Sequence, residues 1–107
     1  MSHPPRTRNF KAWANLMPGA PSRLIVVGEV ETPASNHKPH LSPSSVSNPQ
    51  GRLLLDLSIN DTGGIGTQAF QFWPARYESP AGQGEYNEVV ILWQGSPLMK
   101  LPVSEAH

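Results

Sequence analysis

The sequence predicts an all-β fold: a small antiparallel β-sandwich, Ig-like or related, of about six or seven short strands with at most one short N-terminal helix. Three observations carry this expectation. Twelve prolines and nine glycines punctuate 107 residues, so few windows can hold a long helix. The apolar segments between them are short and rich in β-branched or aromatic residues. Several alternate apolar and polar side chains with period two, as a strand with one buried face requires. A chain of this length buries roughly two-thirds of its unfolded surface in one core, so residues 1–107 read as a single domain.

Residues 1–9 read as a flexible basic tail: Arg6, Arg8 and Lys11 precede the first acid, Glu29. Phe10, Trp13, Ala14 and Met17 then fall at helical spacing, with Asn9 as a cap and Pro18-Gly19 as a stop. Eight residues make a marginal helix, and an extended edge strand fits the same stretch. "RLIVVGEVE", residues 23–31, is the first clear strand, with Leu24, Val26 and Val30 on one face and Arg23, Glu29 and Glu31 on the other. Gly28 in its middle signals a bulge or a close backbone contact.

Residues 32–50 hold four prolines and five serines, with Leu41 and Val46 as the sizeable apolar residues, and read as one long loop that is either mobile or functional. The cleanest alternation follows in residues 51–59, where Leu53, Leu55, Leu57 and Ile59 share a face. In residues 67–78 the apolar parity switches from Phe70 and Phe72 to Trp73 and Tyr77 around Pro74, which predicts a bulge or an edge position. Residues 86–94 bury Val89, Ile91 and Trp93, with Val90 and Leu92 in addition, like an inner strand; residues 98–103 form the last strand after Gly95-Ser96-Pro97. If successive strands run antiparallel, the 32–50 and 79–85 loops share one end of the domain. "NDTGGIG" and "GSP" then share the other, so Asp61 is expected opposite the histidine loop.

Composition excludes several chemistries. Eight Lys and Arg balance eight Asp and Glu, so no overall field steers the chain toward nucleic acid or anionic lipid, and neither is expected as a partner. There is no cysteine, which removes disulfides, thiolate metal sites and thiol nucleophiles. The start has no apolar h-region, which favours the cytoplasm, and residues 24–27, the longest aliphatic run, are far short of the roughly 20 residues that span a bilayer.

Asp61-Thr62-Gly63 resembles the catalytic triplet of retroviral-type aspartic peptidases, all-β chains that dimerise to pair two such loops. The resemblance extends loosely to the preceding "LLLDLSI" and implies a homodimer sharing a proton between two copies of Asp61. Asn60 and Gly64 depart from that family, and its flap and long apolar segment have no room after Gly63. Asn, Asp, Thr and two Gly between strands are also what a hairpin loop requires, and the stretch is read here as a turn. "NPQG" at residues 48–51, "GGIG" at 63–66 and "FWPAR" at 72–76 resemble, faintly, the three loop motifs of chagasin-type cysteine-peptidase inhibitors. Their Thr-Thr element is absent and the aromatic-proline order is inverted.

His37 and His40, three apart in "NHKPH", are weak candidates to begin a metal site. Three or four ligands are needed, a strand sends the two to opposite faces, and Glu29, Glu31 and Glu85 are the only supplements, at no diagnostic spacing. No Gly-x-Ser-x-Gly occurs, and "GGIG" lacks the Lys and the helix of a phosphate loop. The chain has three Trp, two Tyr and three Phe, most of them needed for a core. No catalytic residue, metal or cofactor is therefore expected, and the chain reads as no enzyme. It reads as a binding module for protein or peptide, acting through loops at one end or an exposed sheet edge, with His37, Lys38, His40, Trp73, Arg76 and Tyr77 as binding candidates.

Overall fold

The computed structural model describes residues 4–19, 21–44, 51–64, 70–82 and 84–106. Among these the chain is all strand and connection: β1 (Thr7–Asn15), β2 (Arg23–Thr32), β3 (His37–Pro43), β4 (Arg52–Asp61), β5 (Gln71–Pro80), β6 (Glu88–Trp93) and β7 (Ser96–Ala106). They form one sheet in the order β3-β4-β6-β7-β1-β2-β5, which curls until its outer strands β3 and β5 lie side by side, so that it nearly closes into a barrel. The sheet is mixed, which corrects the expectation of an antiparallel one: β4 pairs with β6 and β1 with β7 in parallel. The reason lies in β5. It leaves its sequence neighbour β4 and pairs with β2, so β4 to β6 becomes a crossover long enough to bring two strands together in the same direction.

Strand β7 holds the two halves of the sheet together. Its first part, from Ser96 to Pro102, pairs with β6, and its last four residues pair with Ala12 to Asn15 of β1. Both of its prolines, Pro97 and Pro102, lie in the part bonded on one side only, where a missing N–H breaks no second ladder.

Alternation within the strands builds the core. Ala12 of β1, Leu24, Val26 and Val30 of β2, Leu41 of β3, Leu53, Leu55 and Leu57 of β4, Ala75 of β5, Val89 and Ile91 of β6 and Leu101 of β7 converge in one buried cluster. Each fully buried Leu, Ile or Val contributes about 1.5–3 kcal/mol relative to exposure. Ile25, Val90 and Leu92 take the opposite parity and are buried as well. For Ile25 the cover is visible in the register, which sets it between Trp13 of β1 and Glu78 of β5.

The segment with helical spacing is strand β1, and the last three residues of the expected basic tail belong to it. A short helix would satisfy only its own backbone, whereas the strand is bonded to β2 on one side and β7 on the other. Register slips between Arg8 and Lys11, where Asn9 takes a φ of 58°, so two residues of β1 face one of β2. That slip swings the Phe10 ring over Gly28, and a Cβ on Gly28 would lie inside the ring. The close contact expected at this glycine is with a side-chain ring, and the bulge lies opposite it in β1.

The expected 32–50 loop contains β3, which reverses half of the end assignment. The described residues of the β2–β3, β4–β5 and β6–β7 connections, 33–36, 62–64 with Phe70, and 94–95, all lie at one end of the barrel, where Thr62 N donates to Asn36 O at 2.8 Å. The described residues of the β1–β2, β3–β4 and β5–β6 connections lie at the other, where Asn87 N donates to Gly51 O at 2.7 Å. "NDTGGIG" and "GSP" thus share an end as expected for their described residues. His37, however, pairs directly with Asp61 instead of lying opposite it, because an unrecognised strand shifts every later parity by one.

Candidate binding face at the open end of the barrel

At the end that carries the β2–β3 and β4–β5 connections, short segments leave ring-bearing residues around the barrel mouth. Phe70, the residue before β5, is 74% exposed, the most exposed large apolar side chain among the described residues. It stands between two cavities and forms a wall of each, together with Pro33. One, of about 490 Å³, is completed by Ala34 and His37. The other, of about 310 Å³, is lined by Ile59 and Trp93 from the barrel and by Pro4, Pro5 and Arg6 ahead of β1, with Glu31 of β2 on its rim. Local sequence explains the mouth: prolines end the ladders here, and Trp93 is the last residue of β6 with its inward parity intact.

Two kinds of polar group lie in this region. Arg8 and Glu29 face each other across β1 and β2 and pair at 3.2 Å, and Asn9 Nδ2 donates to the same carboxylate at 2.8 Å. The Arg8 hydrogen bond, then that of Asn9, holds the Glu29 carboxyl below its ordinary range. The next cross-strand pair outward is Arg6 with Glu31, joined through the backbone by Glu31 N donating to Arg6 O at 2.9 Å. Their side chains have no hydrogen-bond or ion-pair partner among the described residues. His37 Nδ1 and Trp93 Nε1, on residues that line the two cavities, and Trp73 Nε1 of β5 are buried without a hydrogen-bond partner among the described residues, as is Glu88 Oε1 at the start of β6. An unsatisfied buried polar atom costs about 1–3 kcal/mol, so the two on cavity-lining residues mark this region as incompletely satisfied.

Of the residues singled out in the sequence, Lys38 and Trp73 come together, and His37 lines the larger cavity. Lys38 of β3 places Nζ 2.9 Å from the ring centroid of Trp73 on β5, which joins the two outer strands across the seam where no ladder runs. His40 is exposed on β3 opposite Ser58, on the other face from His37. Arg76 is exposed on β5 and paired with Glu78 at 3.0 Å, and Tyr77 is packed against the core cluster. These three lie away from the mouth.

The two histidines do not converge, and no three His, Asp or Glu side chains gather among the described residues. Asp61 ends β4, where its Oδ1 accepts from Gly63 N at 2.8 Å and from Asn36 Nδ2 at 3.2 Å. This is a carboxylate bonding the backbone two residues on, the chemistry of an Asx turn. "FWPAR" lies within β5 instead of a loop, while most of "NPQG" and half of "GGIG" lie outside the described residues.

Sequence reasoning missed Phe70, Pro33, the Pro4-Pro5-Arg6 arm and the free Glu31 carboxylate. The available signal was the Pro-Pro-Arg run itself, set aside as tail. Comparison with protein-family models, curated proteins and solved structures gives no match.

Proposed function

We propose that the protein is a non-catalytic binding module that engages a polypeptide segment of a partner protein at the barrel mouth. The observation that carries this reading is Phe70. A large apolar ring held out at 74% exposure between two cavities is costly to leave in water and is useful as an anchor for a partner. The reading shares with Ig-like sandwiches the principle of a β framework that presents connections at one end, with β1, β2 and β5 as one layer and β3, β4 and β6 as the other. The Asp61 peptidase and the inhibitor-loop readings gain no support from the geometry, since Asp61 is engaged in its own turn and "FWPAR" is strand.

The test is selection from a random-peptide library on the intact chain, with Phe70→Ala and Arg76→Ala in parallel. Peptides enriched by the parent and by Arg76→Ala but lost with Phe70→Ala support the mouth. Peptides that bind all three alike place binding elsewhere and sink the proposal. Thermal unfolding of the variants checks that an exposed ring was removed without harm to the fold.

A further inference from the structure

The smaller cavity of the mouth has features that narrow its occupant, and this step rests on the binding role proposed above. Its walls are mostly rings: Pro4, Pro5 and Pro33 with Phe70 and Trp93. Flat, stiff walls of this kind suit a ligand that is itself stiff and presents rings, because neither side then loses much side-chain freedom on contact. The chain's own Pro4-Pro5 pair already lies against this surface, pinned by the Glu31 N to Arg6 O bond of 2.9 Å. Pro4 and Pro5 thus form one wall of a cavity of about 310 Å³ whose other walls include Phe70 and Trp93.

Charge completes the description. The rim carries the Glu31 carboxylate and the Arg6 guanidinium, both without side-chain partners among the described residues, while the neighbouring Arg8 and Glu29 are tied to each other. A free carboxylate beside proline-packing walls is an acceptor for a cation that follows a proline. A free guanidinium is a donor for the backbone carbonyls that a proline-rich strand leaves unbonded.

We infer that the occupant of this cavity is a polyproline-II segment of a partner protein carrying a basic residue next to its prolines, with the rings packed between Phe70 and Trp93 and the cation on Glu31. The Pro4-Pro5-Arg6 arm forms the adjoining wall.

The experiment is titration of the full chain with a nonapeptide of three Pro-Pro-Arg repeats, followed by tryptophan fluorescence and by backbone amide shifts. Peptides of three Pro-Pro-Glu and three Ala-Ala-Arg repeats serve as comparisons. Saturable binding of the first alone is expected. Its affinity should weaken at least about tenfold with Phe70→Ala and about threefold with Glu31→Gln, and be unchanged with Arg76→Ala. Equal binding of the Ala-Ala-Arg peptide, dependent on Phe70, overturns proline selectivity and leaves the binding face standing. Equal binding of the Pro-Pro-Glu peptide overturns the role of Glu31. No binding of any of the three overturns the inference, and the library selection then decides separately whether the mouth binds other peptides.

Discussion

Gly28 and Phe10 show how one residue governs the local geometry of this sheet. With a Cβ at position 28 the Phe10 ring would have to leave the core-facing side of β1, and the bulge at Asn9 that aims it there would lose its purpose. Gly28→Ala is expected to destabilise the protein by about 1–3 kcal/mol. Urea unfolding measures this, and adding Phe10→Ala should make the glycine substitution nearly neutral. Glu29, on the outer side of the same bulge, makes the other residue-scale prediction. Its carboxyl is held below the ordinary glutamate value of 4.5 by Arg8 and Asn9, so the folded state releases this proton more readily than the unfolded chain. The stabilisation is present above that value and is lost as pH falls through the lower, folded value. Stability of Glu29→Gln should therefore fall less steeply than that of the parent on acidification below about pH 4.5. The difference should shrink in high salt, because the pair is exposed.

Among the elements, β3 was the hardest to read and β4 the easiest. Two prolines, His37, Lys38 and His40 look like loop, and only Leu41 faces the core fully buried. The strand exists because β4 offers it a complete antiparallel partner from His37 with Asp61 to Pro43 with Leu55, and because as an outer strand it can carry Pro39 and Pro43. Pro74 in β5 predicted a bulge or an edge position from the same argument; the register with β2 runs without a bulge, and β5 is the other outer strand. Between them the seam rests on side chains, chiefly Lys38 over Trp73. Lys38→Ala should lower stability by about 0.5–2 kcal/mol. It should also speed amide exchange in β3 and β5 ahead of β1 and β7, which hydrogen exchange resolves strand by strand. Uniform acceleration across all strands would show that the seam does not open on its own.

At the scale of the whole molecule, three of the six strand pairings, β2 with β5, β4 with β6 and β1 with β7, join strands that are not neighbours in sequence, and the parallel contact of β1 with β7 joins the two ends of the described chain. Such a fold must close large loops before its contacts form. Refolding from urea is expected in milliseconds to seconds, not microseconds, by stopped-flow tryptophan fluorescence.

The sequence by itself determined the all-β character, four of the strands within a few residues, and the turn at Asp61, and it marked Pro74 and Gly28 as special positions, each with two readings open. These follow from period, proline and glycine, which act over a few neighbouring residues. Only the tertiary structure decided that β1 is a strand, that β3 exists, and that β5 turns away from β4 toward β2 to make the sheet mixed. Those outcomes depend on which partner supplies a backbone ladder, and no local signal encodes that. The site divides the same way. His37, Lys38 and Trp73 were legible as polar and aromatic residues, but Phe70, Pro33 and the Pro4-Pro5-Arg6 arm became a surface only when the barrel brought three connections and the start of β1 to one end.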